Sequence, residues 1–309
     1  MLRLAIHCAA LLLLSTACPA TELIVLGIAQ DAGVPQLGCT KPCCAAALAD
    51  PALALGAASI AIVDGDAETR WLIDATPNLP SQLALLDRLA PAERDSRDAA
   101  LDGIFLTHAH MGHYTGLMHL GREAMSSSGV RVYTLPRMAE FLRDNGPWSQ
   151  LCALGNIVLE PLDPGAAVSL GPNLGVQALL VPHRDEFSET AGFLIRGPQK
   201  SALYIPDIDK WEQWTLNLPE ILSSVDLALV DGTFFDASEL PGRSMDEIPH
   251  PLMVETLALV RDLPASERAK LYFIHLNHSN PALRADGPER ELILEMDCHI
   301  AQVGERFAL

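Results

Sequence analysis

The segment Phe105-Leu106-Thr107-His108-Ala109-His110-Met111-Gly112-His113 sets three histidines within six residues at the end of an apolar run. Three imidazoles so close together make poor packing material, because each buried ring nitrogen needs a partner. Neutral imidazole is also the commonest nitrogen donor to metal ions. A fold that accepts this segment must end a buried strand in a sharp turn that aims the rings at one point. His108, His110 and His113 are therefore expected to be metal ligands.

The rest of the chain supplies elements for such a fold. Its pattern predicts strands over residues 22–27, 59–63 and 71–73, the last two paired around the turn Asp64-Gly65-Asp66. Leu79, Leu83, Leu86 and Leu89 at helical spacing predict a helix over 80–89. A strand over 103–106 runs into the histidines, and a helix is expected over 114–125. Further strands are expected over 131–134, 156–162, 175–181, 191–195, 202–205, 227–230 and 270–274, with helices over 137–144 and 252–262. Strand-rich halves with intervening helices, and polar residues just past strand ends, predict an α/β fold with two sheets sandwiched between helices. The chain has 309 residues, 49% of them hydrophobic, and no low-complexity linker divides it. Residues 21–309 therefore read as one domain with a well-filled core.

The histidine segment resembles the metallo-β-lactamase superfamily signature, His-x-His-x-Asp-His after a strand. Other markers of that superfamily follow in order: Asp74 in Leu72-Ile73-Asp74-Ala75, His183 in Val181-Pro182-His183, Asp207 in Ile205-Pro206-Asp207 and His275 in Phe273-Ile274-His275. The resemblance implies an αβ/βα four-layer sandwich. It further implies that His108, His110 and His183 hold one metal, that Asp207 bridges to a second, and that His113 and His275 hold that second one. Asp74 would support the histidines from behind by hydrogen bonding. One position departs from the family: its motif Asp is Gly112 here. The second site is thereby expected to be weakened or lost, with Asp185 or Glu186 as candidate replacements. Gly112→Asp is expected to raise its occupancy.

Cysteines stand at 8, 18, 39, 43, 44, 152 and 298. Three crowd into Cys39-Thr40-Lys41-Pro42-Cys43-Cys44, where adjacent Cys43 and Cys44 pair poorly and a metal site fits better than a disulfide. One branch of the superfamily carries an N-terminal cysteine cluster that holds a structural zinc. It includes the pyrroloquinoline quinone biosynthesis B proteins and the phosphoribosyl cyclic phosphodiesterases. By that resemblance Cys39, Cys43, Cys44 and His278 would hold one structural zinc, although the cysteine spacing differs. The stretches Ala75-Thr76-Pro77-Asn78, His113-Tyr114-Thr115-Gly116-Leu117 and Asp231-Gly232-Thr233-Phe234-Phe235 also resemble the biosynthesis B proteins.

Arg3, an apolar run over residues 4–14 and small residues to Ala20 read as a signal peptide over 1–20. The run is too short for a comfortable transmembrane helix. Export is expected, to the periplasm or, with a lipid on Cys18, to a membrane anchor. The formal net charge of -18 disfavours nucleic acid as a partner. A small-molecule substrate is expected instead; the oligomeric state is not encoded legibly. The resemblance implies a metal-dependent hydrolase using a metal-activated water on an ester, phosphodiester or lactone. One or two catalytic zinc ions and one structural zinc are implied, with iron or manganese as alternatives at the catalytic centre. Asp207 would orient the attacking water and accept its proton, and His250, in the polar loop 236–250, is a candidate proton donor. The resemblance to the biosynthesis B proteins offers iron-dependent hydroxylation as an alternative. A metal-binding protein without activity is the third reading.

Overall fold

A computed structural model describes residues 21–65, 67–92, 101–240, 242 and 248–309. The expected signal segment 1–20, with Cys18, lies outside the described residues, as does part of the loop 236–250. No described helix is long and apolar enough to cross a membrane.

The first half of the chain forms strands β1 (Thr21–Gly27), β2 (Ser59–Asp64), β3 (Thr69–Ile73), β4 (Gly103–Phe105), β5 (Val130–Thr134) and β6 (Ile157–Pro161). The second half forms β7 (Ala167–Gly171), β8 (Leu174–Val181), β9 (Thr190–Arg196), β10 (Ser201–Ile205), β11 (Leu227–Asp231), β12 (Leu271–Ile274) and β13 (His299–Ile300). A last strand, β14 (Arg306–Ala308), returns to the first sheet and pairs with β1. Among the described residues each sheet has seven strands, ordered β14-β1-β2-β3-β4-β5-β6 and β13-β12-β11-β10-β9-β8-β7.

Most central strands are buried on both faces, and alternate residues serve different layers. On β2, Ile60 and Ile62 face the second sheet and pack with Phe193, Ile195 and Tyr204, whereas Ala61 and Val63 face helices. Phe105 bridges the sheets, stacked on Tyr133 at 4.6 Å and edge-on to Phe193 at 5.6 Å between ring centroids. Such aromatic pairs add about 0.5–1.5 kcal/mol each beyond burial. The outer face of the first sheet is covered by helices Leu79–Leu89 and Pro136–Asp144 through Leu79, Leu86, Met138 and Leu142. Helices Leu218–Ser224 and Met253–Val260 cover the second sheet through Leu218, Leu222, Met253 and Leu257. The four layers are helix, sheet, sheet, helix, as the sequence predicts.

The long helix expected over 114–125 does not form. A single turn, Met111–Tyr114, passes into a 3₁₀ segment, Thr115–Leu120. Gly116 N–H donates to the Ala75 carbonyl at 2.8 Å, which diverts the backbone from an α-helical ladder. A Cβ on Gly116 would lie 2.1 Å from the Thr76 carbonyl oxygen, so only glycine fits that approach.

Candidate metal centre

The C-terminal ends of strands from both sheets open onto one seam. β3 leads directly into Asp74, β4 towards Thr107-His108, β8 towards His183, β10 towards Asp207 and β12 directly into His275, and β11 ends at Asp231. Asp74 and His275 both take left-handed backbone, with φ of 68° and 66°. That conformation costs a non-glycine residue about 1–3 kcal/mol and persists only where the surroundings dictate it. At Asp74 they do: its N–H donates to the Phe105 carbonyl, and its carboxylate accepts from Thr107 N–H, both at 2.8 Å.

His108, His110, His183 and Asp207 present donor atoms within 4.8 Å of one another, and so do Asp31, His113 and His275. Asp207 lies between the two sets. Its Oδ2 is 3.5 Å from His108 Nε2, 3.2 Å from His183 Nε2, 3.9 Å from His113 Nε2 and 4.0 Å from His275 Nε2. The Nε2 atoms of His113, His183 and His275, with Oδ1 of Asp207 and of Asp31, are buried without a hydrogen-bond partner among the described residues. Buried polar atoms are seldom left so. Several of them converging on one volume is the arrangement that a cation satisfies, and imidazole with carboxylate suits zinc, iron or manganese.

The other nitrogen of each ring is held. His113 Nδ1 lies 2.7 Å from Asp74 Oδ2 and His183 Nδ1 3.0 Å from Asp209 Oδ1. His108 Nδ1 is 3.0 Å from Thr107 Oγ1, which donates to Asp74 at 2.9 Å. The second sheet repeats the device: His275 Nδ1 is 3.0 Å from Thr233 Oγ1, which donates to Asp231 at 2.7 Å. Two Asp–Thr–His relays thus fix the tautomers that turn the Nε2 lone pair to the seam, where His108 Nε2 lies 2.7 Å from His110 Nδ1. Asp74 was anticipated behind the histidines; Asp209, Thr107 and Thr233 were not.

Neither Asp185 nor Glu186 enters the second donor set. Asp185 pairs with Arg137 at 3.2 Å, and Glu186 reaches His110 Nε2 at 3.3 Å from the rim. The carboxylate found there belongs to Asp31, whose Oδ1 is 3.6 Å from His113 Nε2. A Cβ on Gly112 would lie 2.1 Å from that Oδ1 and 2.4 Å from Asp31 Cα. The expectation that Gly112→Asp improves the site is therefore wrong, because the added side chain meets Asp31. Sequence reading passed over Asp31 as one more polar residue in a Gly- and Pro-rich loop.

His250 is buried in the seam. Its Nδ1 lies 2.9 Å from Asp231 Oδ2 and 3.2 Å from Asp207 Oδ1. Burial, the largest influence, lowers its pKa, but Asp231 and Asp207 outweigh it and hold the value at about 10. Burial likewise opposes ionisation of Asp207, yet His183, His250 and His275 keep its carboxyl well below the usual range. His108 is pushed well below an ordinary histidine by burial and by neighbouring His113.

Cys39, Cys43, Cys44 and His278 form a third donor set. Cys39 Sγ to Cys43 Sγ is 3.8 Å, and His278 Nδ1 lies 3.6 Å from Cys43 Sγ and 3.4 Å from Cys44 Sγ. A tetrahedron with zinc–sulfur bonds of about 2.3 Å and zinc–nitrogen bonds of about 2.0–2.1 Å has edges of about 3.8 and 3.6 Å. The sulfurs are too far apart for a disulfide, and all five described cysteines are free. Burial and the adjacent thiols push Cys43 up to about 11, whereas the Lys41 backbone N–H lowers Cys39.

Residues 69–276 match the Beta-lactamase superfamily domain. The chain is 30% identical over 302 residues to coenzyme PQQ synthesis protein B of Rhodopseudomonas palustris, covering 87% of this chain and 93% of that protein. It is 27% identical over 315 residues to the protein of the same name from Cupriavidus necator, covering 94% and 100%. In fold it matches the Zn(2+)-bound PqqB of Methylobacterium extorquens with a TM-score of 0.79 at 23% identity, over 93% of this chain and 100% of that one. A diphosphatase of the PhnP family follows with a TM-score of 0.64 at 20% identity, over 94% and 97%.

Proposed function

This chain belongs to the beta-lactamase superfamily and is related to the PqqB proteins, and from that premise we propose that it is a metal-dependent hydrolase of small esters, phosphodiesters or lactones. The observation that carries the reading is Asp207 Oδ2 standing among four histidine Nε2 atoms, three of them buried and unpartnered. His108, His110, His183 and Asp207 would hold one ion, and His113, His275 and Asp207 contribute to a second. Ions bound there supply Lewis acidity, which acidifies water and offsets charge on an oxyanion.

The chain's own groups supply the rest. Asp207, ionised, orients the attacking water through its oxygens. Asp231 and Thr233 hold His275 and His250 in place. His250, with Nδ1 bonded to Asp231 Oδ2 and 3.2 Å from Asp207 Oδ1, can offer the proton on Nε2 to a departing oxygen. Exposed Met111 and Phe187 follow His110 and Glu186 at the rim and suit a substrate with an apolar part.

Kinship with the PqqB proteins favours a second reading, oxidation at an iron centre formed by the same residues. Metal analysis of the protein as purified, then a screen of generic phosphodiesters, carboxylic esters and lactones with each metal, tests both. Turnover that disappears in His183→Ala supports hydrolysis. Retained iron with no hydrolysis of any class overturns the hydrolase reading.

A further inference from the structure

We infer that Asp31 is the carboxylate ligand of the second metal position, supplied by the N-terminal loop in place of an acid at position 112. The inference rests on the metal-centre reading above and names a ligand outside the histidine segment.

Three observations carry it. Asp31 Oδ1 is buried and unpartnered, 3.6 Å from the unpartnered Nε2 of His113. Nitrogen and oxygen ligands each about 2.0–2.2 Å from zinc stand about 3.4 Å apart at a tetrahedral angle, so the spacing is that of two ligands of one ion. The donor set Asp31, His113 and His275 becomes four with Asp207 Oδ2, which lies 3.9 and 4.0 Å from the two imidazoles. With Asp31 the position has four protein donors, whereas the two histidines and Asp207 alone would leave one place to water.

Position 112 shows the same exchange from the other side. A side chain there would begin 2.1 Å from Asp31 Oδ1 and 2.8 Å from Asp31 Cγ. The Asp31 carboxyl thus occupies the volume into which an acid at 112 would project, and glycine is the residue that leaves it room.

The loop is built to hold this placement. Leu276 N–H donates to the Ile28 carbonyl and Gln30 N–H to the Leu276 carbonyl, both at 2.8 Å. Asp31 and His275 therefore leave two backbone segments locked to one another, and their side chains arrive together. Gly33 N–H closes a turn onto the Gln30 carbonyl at 2.8 Å just beyond Asp31.

The test is a zinc titration of the full chain, stripped by chelator and read by a competing chromophoric chelator, with cobalt(II) in parallel because its thiolate absorption reports the cysteine site separately. The wild-type chain should take up three ions. Asp31→Asn keeps shape and removes charge, so it should fold as wild type by circular dichroism. It should weaken one of the two non-thiolate ions by roughly 100-fold or more, since even outer partners of metal ligands cost 10–100-fold. Gly112→Ala, which adds no ligand and removes none, should weaken the same ion. Asp31→Asn binding three ions with wild-type affinity overturns the inference and leaves the metal centre standing. A wild-type chain that binds one thiolate ion and one other also overturns it, since no second position then exists. Uptake of the thiolate ion alone instead overturns the metal-centre reading itself.

Discussion

Thr107→Val is the most informative change behind the metal centre, because it is nearly isosteric and touches no donor atom. Thr107 Oγ1 has one proton to give. It donates to the Asp74 carboxylate, with oxygens at 2.9 and 3.0 Å, and receives from His108 Nδ1 at 3.0 Å. Valine removes both links inside a region where Asp74 is fully buried. A hydrogen bond to a charged group contributes about 1.5–3 kcal/mol, so the metal-free chain should lose ~2 kcal/mol, equivalent to roughly 3 °C in Tm for a chain of this size. His108 also loses the acceptor that keeps its proton on Nδ1 and its lone pair on Nε2. Metal affinity should therefore fall by about 10–100-fold, the usual cost of losing such a partner. Chelator competition measures the affinity and scanning calorimetry the Tm, with Thr107→Ser expected to recover most of both. Wild-type affinity in Thr107→Val would show that the relay does not set the tautomer.

Other expectations follow from the same geometry. His108→Ala and His183→Ala should abolish turnover while leaving the far-ultraviolet circular dichroism unchanged; full activity in either would sink the metal centre. Phe105→Ala removes the ring that joins the sheets and should cost about 3–5 kcal/mol in urea unfolding; a loss under 1 kcal/mol would contradict the packing described. With protons as the only counter-charge, His113 and His183 are held at about 9 and His250 at about 10, the nearby carboxylates outweighing burial. Raised values stabilise below the unfolded pKa of about 6.5 and lose that contribution as pH rises through 9 to 10. His108 and His275 are lowered, chiefly by burial, so their contribution is lost instead as pH falls below about 6.5. Tm of the chelated chain should accordingly decline from pH 7 to 10 while that of the zinc-loaded chain does not; a flat profile for the chelated chain would refute the charge assignment. Cys43→Ser should release the thiolate ion and lower Tm before it affects turnover, because it opens a closed tetrahedral site.

The sheets and the histidines were legible because each marker follows an apolar strand, and strands buried on both faces announce themselves as continuous apolar runs. Asp31 was not legible, since Gln30-Asp31-Ala32-Gly33 has the composition of an ordinary turn. Its role comes from pairing with Leu276, a contact between distant parts of the chain that local pattern cannot report. Gly112 held the one available hint, an acid absent where its histidine neighbours still need one. The helix expected over 114–125 failed for a similar reason: the Gly116 N–H bond to Ala75 is tertiary, and it overrides local propensity.

The donor sets also impose an order on how the protein acquires its ions. His108 and His110 lie in the first sheet's half, but their set closes only with His183 and Asp207 from the second. The set of Asp31 and His113 waits for His275, and the three thiols wait for His278. A chain growing from its N-terminus on the ribosome therefore exposes half-sites long before any can close, three thiols and three imidazoles among them. No set is complete until residues 207, 275 and 278 have been made, the thiolate set being the last to gain its final ligand.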